Sequence, residues 1–172
     1  PQQAAALHSG TIDLGFLRPP VNDRLLRYEV VGTEEMVAVL PHAHPLAERE
    51  AIEVADLAKE SFITYSGFSR SVVFEVVIDA CQRAGFTPTI RHEVGETATL
   101  VSFVAAGQGV ALVPKSVQHM QITGAVYVPL KGEVPTVELA MAMRAEPPSP
   151  HLQRVLNSLR TALPDIDPLV LG

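Results

Sequence analysis

The stretch between residues 62 and 113 is the sequence feature that most limits the fold. Three short apolar runs alternate there with two helix-forming segments, at residues 62–65, 69–84, 88–94, 97–106 and 110–113. Strands that alternate with helices through short links are typical of a parallel sheet with right-handed crossovers. Gly85 and Gly107 follow the two helices at the position where glycine commonly ends a helix. The sequence therefore predicts an α/β unit in this stretch.

Two further apolar segments bracket that unit. MVAVL at residues 36–40 and TVELAMAMR at residues 136–144 each have the pattern of a strand. Residues before the first and after the second must then form another unit, so the chain leaves one lobe, builds a second and returns. We expect subdomain I at 1–35 and 141–172, and subdomain II with the crossover strands at 36–140. Two crossings between lobes predict a hinge and a cleft for a ligand.

Composition excludes several classes of protein. The net charge of −6 argues against direct nucleic-acid binding, because such domains are usually basic. A single cysteine, Cys81, forms no internal disulfide, which fits a reducing cytoplasmic location. No apolar run approaches the roughly 20 residues that span a membrane. The helical opening at residues 1–9, followed by a strand at 12–16, implies an earlier strand that is not in the sequence.

Several stretches resemble the effector-binding domain of LysR-type bacterial transcription regulators. They are GTIDLGFLRPP, EEMVAVLPHAHPLAE, FVAAGQGVALVPKSVQ, VYVPL and ELAMAMR. The resemblance is greatest to the subgroup that senses aromatic compounds. It implies two α/β subdomains joined by two strands, as in type 2 periplasmic binding proteins, with the first lobe incomplete at its N-terminus. It also implies a homodimer or homotetramer, and promoter DNA bound only through an N-terminal winged helix-turn-helix that this chain lacks.

The ligand is expected at the carboxyl ends of the strands, where open α/β sheets bind ligands. Helices that begin near Ser69 and Thr97 offer free N–H groups and positive dipole ends, which favour carboxylates. The candidate loop contains Ser66, Gly67, Phe68, Ser69, Arg70 and Ser71. By resemblance the pocket extends to Val73 and to Met141, and Arg18 could pair with a carboxylate. We therefore expect a small aromatic or dienoic acid as the effector.

Simpler roles remain open for these residues. Serine and threonine before a helix are usually plain N-caps, and Arg18 could form an interlobe or surface salt bridge instead of binding a ligand. In the helix over residues 69–84, apolar side chains cover most of the circumference, which predicts burial on two sides. Val72, Phe74, Val76 and Ile78 are the candidate dimer interface. The alternative is a helix sandwiched within the monomer.

No motif predicts catalysis, a metal or a cofactor. His42 and His44 lie in a proline-bounded loop without further ligands. GQG at residues 107–109 precedes a strand, whereas a dinucleotide-binding loop follows one. Cys81 has no neighbouring base, and no catalytic signature is present. Two rivals to the regulator remain open: a solute-binding protein of a transport system with the same two-lobed fold, and an enzyme with that fold.

Overall fold

The computed structural model describes residues 2–20, 23–66 and 71–162, which fold as two compact units. Unit 1 comprises Pro1–Glu34 and Glu138–Gly172, and unit 2 comprises Glu35–Val137. The helices are α1 (Gln2–His8), α2 (Val72–Arg83), α3 (Thr97–Ala105) and α4 (Pro150–Ala162). The strands are β1 (Gly15–Leu17), β2 (Leu26–Pro41), β3 (Ser61–Tyr65), β4 (Thr89–Val94), β5 (Ala111–Pro114), β6 (Ala125–Pro129) and β7 (Thr136–Arg144). Short 3-10 helices occupy Val54–Leu57 and Lys115–His119.

The sheet of unit 2 is mixed. β3 and β4 pair in parallel, as the alternation of strands and helices predicts. β5 joins β3 only through a parallel bridge between Phe62 and Val110, and its main partner is β2, which it pairs antiparallel. β6 pairs antiparallel with β2 on its other side. The prediction of a parallel sheet is therefore right for β3 and β4. It is wrong for the main pairing of β5, because β2 lies antiparallel beside β5.

Helices cover both faces of the unit 2 sheet. Val73, Val77 and Cys81 of α2 pack into one buried cluster, and Leu100, Val101 and Val104 of α3 pack into the other. β2 alternates between the two clusters: Met36, Ala38 and Leu40 enter the first, and Val37 and Val39 enter the second. The sequence of a strand that is covered on both faces is a continuous apolar run, which is why residues 36–40 of β2 have the sequence MVAVL.

Unit 1 is also layered. β1 pairs antiparallel with β7, with Phe16 opposite Met141. α4 covers one face through Leu156, which packs with Met141 and Met143. α1 covers the other face through Leu7, which packs with Leu26 and Ala142. Because both faces are covered, the four consecutive residues from Ala140 to Met143 of β7 are all buried.

β2 is longer than the sequence predicts. The sequence predicts a strand at residues 36–40, after GTEE at residues 32–35, whereas the structure has one strand from Leu26 to Pro41. The segment stays extended because Glu34 is buried and paired with Arg18, and because the amide of Met36 donates to the carbonyl oxygen of Pro135 at 2.8 Å. Local composition favours a turn there, and tertiary contacts override it.

The two glycines of GQG have different roles. Gly107 ends α3 with φ of 71° and donates its amide to Val104 O at 2.8 Å, as predicted for a helix-ending glycine. Gly109 instead allows a close backbone approach, since a Cβ atom there would lie 2.4 Å from the carbonyl oxygen of Ser61. The chain entering β5 can therefore reach β3 only if residue 109 lacks a side chain.

Candidate functional site

The carboxyl ends of β3 and β4 lie side by side and lead to the first turns of α2 and α3. β3 ends at Tyr65, which pairs with Val94 at the end of β4. The amide of Ser66 then donates to the carbonyl oxygen of Val94 at 3.0 Å, which extends the parallel pairing by one residue. This edge of unit 2 is where the sequence places the effector loop.

α2 begins without a cap from its own N-cap side chain. Ser71 is the N-cap residue, with φ of −65° and ψ of 119°, and its hydroxyl makes no hydrogen bond to the helix amides. Ser71 therefore does not act as a plain side-chain cap, which was the simpler alternative. Because its hydroxyl does not bond the amides of the first turn, another acceptor can bind them.

α3 begins in the same way. Its N-cap residue is Glu96, which makes no side-chain cap hydrogen bond. The hydroxyl of Thr97 lies 3.0 Å from the phenol oxygen of Tyr65. Tyr65 thus links the end of β3 to the start of α3. The carboxylate of Glu96 already favours the positive end of the α3 dipole, so the α2 end is the better place for an anionic ligand.

Two buried polar atoms in the described part of the chain have no hydrogen-bond partner, and one is close in sequence to this edge. It is the hydroxyl of Thr64, whose residue is only 2% exposed. The other is Nε2 of His92, whose ring meets that of Phe103 edge-on with centroids 5.1 Å apart. Because native proteins satisfy most buried hydroxyls, the Thr64 hydroxyl is an exception at this edge.

A second phenol lies near Tyr65. Tyr127 of β6 donates to the carbonyl oxygen of Met120 at 2.6 Å. Burial raises the pKa of Tyr127 above its ordinary value, and the nearby Tyr65 raises the pKa further. The Tyr127 phenol therefore stays protonated at neutral pH, as its hydrogen bond to Met120 requires.

Four predicted ligand residues lie outside the described residues, namely Gly67, Phe68, Ser69 and Arg70. Val73 is 8% exposed and packs in the core beneath α2. Arg18 and Met141 belong to unit 1, where Met141 is fully buried and Arg18 contacts Glu34.

The candidate interface residues are half-buried. Val72, Phe74, Val76 and Ile78 flank the buried stripe of α2 on its two sides. The outermost positions of α2 are polar and exposed, namely Glu75, Asp79, Gln82 and Arg83. The apolar surface of α2 is therefore wide, but it does not surround the helix.

Other candidate chemistry finds no support in residues 2–20, 23–66 and 71–162. That part of the chain brings together no three His, Cys, Asp or Glu side chains able to hold a metal. Nδ1 of His44 accepts a hydrogen bond from the amide of Leu46 at 3.2 Å, which occupies it. Among the described helices, each is too short or too polar to cross a bilayer.

Comparison with protein families decides the class. The family model of the LysR substrate binding domain matches residues 1–164. The chain belongs to this family. CatR of Pseudomonas putida, an HTH-type transcriptional regulator, is 35% identical over 156 residues, which are 91% of this chain and 54% of CatR. YnfL of Escherichia coli (strain K12), an uncharacterized HTH-type transcriptional regulator, is 34% identical over 132 residues, or 77% of this chain and 44% of YnfL.

Solved LysR structures share the fold. The BenM effector binding domain with its effector benzoate has a TM-score of 0.79 at 25% identity, covering 97% of this chain and 78% of that one. CbnR, a LysR family transcriptional regulator, has a TM-score of 0.83 at 21% identity, covering 94% of this chain and 56% of CbnR. The α/β fold of two subdomains, like that of type 2 periplasmic binding proteins, is confirmed.

These relatives also bear on the alternatives left by the sequence. CatR and YnfL are named as transcriptional regulators, which supports the LysR effector-binding domain over a transport protein or an enzyme. The LysR domain described here spans about half the length of these curated relatives, 44% of YnfL and 54% of CatR.

Sequence reasoning missed two residues of this edge, Thr64 and Tyr65. Neither has a local signature, because the partner of Tyr65 lies 32 residues away along the chain. The available signal was position alone: both residues end a strand whose carboxyl end was already predicted to face the ligand.

Proposed function

We propose that this chain senses a small organic carboxylate for a LysR-type transcription regulator that works in the bacterial cytoplasm. The acid binds unit 2 at the carboxyl ends of β3 and β4, with its carboxylate at the first turn of α2. The observation that carries the proposal is the start of α2 and α3 at one sheet edge, each without a cap from its own N-cap side chain.

The chemistry of this edge suits a carboxylate. The first amides of a helix point outward and carry a partial positive charge, so they stabilise anions without a charged side chain. Ser71 adds a hydroxyl that the helix does not use, and Thr97 adds a second hydroxyl held by Tyr65. Hydroxyls and amides together accommodate a carboxylate and a further polar substituent.

An aromatic or dienoic acid is the favoured effector. BenM, of which benzoate is the effector, has a TM-score of 0.79 to this chain. Phe68 remains a predicted apolar wall of the site, with Gly67, Ser69 and Arg70 as its neighbours. Contacts from Val73, Arg18 and Met141 also stay predictions, and the side chains of Val73 and Met141 are buried.

Titration calorimetry with benzoate and related small carboxylates tests the site. Ser71→Ala and Thr97→Val should each weaken binding, and roughly tenfold is expected where one hydrogen bond to a charged group is lost. Ser71→Ala should leave the melting temperature nearly unchanged, since its hydroxyl does not cap α2.

Ser102→Ala is the matched control, because its hydroxyl bonds the Ala98 carbonyl oxygen at 2.7 Å on the exposed side of α3. Binding as tight in Ser71→Ala and Thr97→Val as in the parent chain would remove these residues from the site.

For assembly we propose a homodimer or homotetramer of the complete regulator, built partly on α2. Phe74 and Ile78 lie half-buried on one flank of α2, and Val72 and Val76 on the other. Sedimentation equilibrium should show dissociation in Phe74→Asp and Ile78→Asp, and none in the control Gln82→Asp on the exposed stripe. Unchanged mass in both apolar variants would exclude α2 from the interface.

Effector binding would then act on promoter DNA through the regulator's DNA-binding domain. A ligand that prefers one arrangement of a regulator shifts its population toward that arrangement. Coupling of about 1–3 kcal/mol is typical of such systems. A promoter-binding assay of the complete regulator, with and without the identified acid, measures this coupling directly.

A further inference from the structure

One arginine contacts both strands that carry the chain between the units. Arg18 follows β1 directly, and its Nη2 pairs with Oε1 of Glu34 on β2. Its Nη1 lies 3.5 Å from the carbonyl oxygen of Glu138 on β7. Glu34 is the last residue of unit 1 on the outward strand, and Glu138 is the first on the return strand.

In the order of strands, β7 separates Arg18 from its partner Glu34 on β2. β1 neighbours β7, and β7 neighbours β2. The last paired residue of β1 is Leu17, opposite Ala140, so the strand pairing of β1 is with β7 and does not reach β2. The side chain of Arg18 continues past that pairing to Glu138 and then across β7 to β2. One guanidinium thus connects three neighbouring strands.

The buried carboxylate makes the contact strong. Glu34 has a side chain only 6% exposed, and it is the one charged residue among the buried residues that the structure describes. A buried carboxylate is stable only when it is paired, and removing one partner leaves an uncompensated charge. The guanidinium suits this position because its planar fork of N–H donors can serve two acceptors in fixed directions.

We infer that Arg18 is a strap that fixes β2 and β7 to each other at the ends of unit 1. Its role is positioning, and it does not require a ligand. The Nη2 group of Arg18 is engaged by Glu34, so an effector carboxylate that bound this nitrogen would compete with that side chain. The strap thus competes with the predicted role of Arg18 in ligand binding.

Hydrogen exchange followed by mass spectrometry tests the strap in the chain as it is, without ligand. Arg18→Gln should raise the exchange rate of the amides at residues 34–36 and 136–138 by about tenfold or more, as expected for local opening. Exchange in α3, at residues 100–104, should stay at the parent rate and so exclude global destabilisation. Arg160→Gln is the matched control, because it breaks an exposed ion pair of the same unit, with Glu29.

Two further variants separate the role of the guanidinium from that of the buried charge. Arg18→Lys keeps the charge and loses the fork, so its exchange at these amides should fall between the parent and Arg18→Gln. It also replaces Arg18→Gln if that variant does not fold. Glu34→Gln combined with Arg18→Gln should exchange more slowly than Arg18→Gln alone, because the double variant no longer buries a carboxylate that has lost its guanidinium. Parent-like exchange in Arg18→Gln and Arg18→Lys at both segments would overturn the inference, as would purely additive effects in the double variant.

Discussion

The two units are stabilised by different means. Unit 2 has two extended buried apolar clusters, one on each face of its sheet, beneath α2 and α3. The two clusters of unit 1 are small, with Leu156 and two methionines under α4, and Leu7 and Leu26 beside α1. A small core supplies less stabilisation by burial, so unit 1 needs other contacts.

Arginines supply those contacts in unit 1. Arg144 donates through Nη1 to the carbonyl oxygens of Leu7 at 2.9 Å and Ile12 at 3.0 Å, and its Nη2 pairs with Asp13. Arg18 and Arg160 join other elements through carboxylates. In unit 2 the ion pairs of Arg83 are exposed. We infer that unit 2 depends mainly on apolar packing and unit 1 on charge-assisted hydrogen bonds.

The largest effect is expected from an apolar truncation in unit 2. Leu100 is fully buried in the cluster beneath α3. Leu100→Ala should lower the free energy of unfolding by about 2–5 kcal/mol, because it removes apolar contacts and leaves a cavity. Urea unfolding measures the loss, and hydrogen exchange should place it in unit 2. Leu25→Ala, at a site that is 66% exposed, is the control and should change little.

A smaller effect is expected from the central arginine of unit 1. Arg144→Gln removes donors from two carbonyl oxygens and a partner from Asp13, so a loss of about 2 kcal/mol is expected from charged hydrogen bonds. Hydrogen exchange should rise in α1 and β1 and stay unchanged in α3. The exposed Arg154 offers the control Arg154→Gln. Equal loss of protection in both units would contradict the proposed division.

The next largest effect is the contribution of the Glu29–Arg160 ion pair to the free energy of unfolding, which should depend on pH. The hydrogen bond from Arg160, assisted by its charge, lowers the pKa of Glu29. A carboxyl whose pKa is lowered by folding stabilises the protein above its ordinary pKa, and this contribution is lost as the pH falls through the folded value. Both side chains are more than 40% exposed, so Glu29→Gln should cost only about 0.2–1 kcal/mol at pH 7.

Urea unfolding of the Glu29→Gln variant and the parent at several pH values checks this. The difference between the two should vanish in acid, below the lowered pKa of Glu29, and should shrink in high salt. Glu48→Gln, on the surface of unit 2, is the control. A difference that persists unchanged in acid would show that Glu29 acts by packing and not by charge.

The smallest effect concerns the buried thiol. Burial raises the pKa of Cys81 to about 12, and the residue is fully buried. Because the thiolate is the reactive form, a disulfide reagent at pH 7.5 should modify the folded chain only as fast as it unfolds. Ellman titration with and without urea measures this. Rapid modification without urea would show that the unit 2 core opens locally.

The sequence predicts elements well where the periodicity is local. β7 was predicted with its observed bounds, and α3 was predicted to within one residue, because an apolar pattern marks both and a glycine follows α3. α2 begins at Val72 instead of Ser69, since serines at its start do not reveal which one is the N-cap. The edge formed by β3 and β4 follows from the parallel pairing alone.

Contacts between distant residues could not be predicted in this way. Arg18 pairs with a residue 16 positions away and approaches a carbonyl oxygen 120 positions away. The local composition of GTEE favours a turn, whereas the contact of Arg18 with Glu34 and the hydrogen bond from Met36 to Pro135 keep it extended. Likewise, Tyr65 holds Thr97 only because parallel pairing brings the ends of β3 and β4 together.

The inert thiol of Cys81 has a practical consequence. It is the only cysteine of the 172 residues, so any cysteine introduced on the surface would be the sole site open to maleimide dyes or spin labels. Pairs of probes, one in each unit, could therefore report distances in solution without first removing the natural residue.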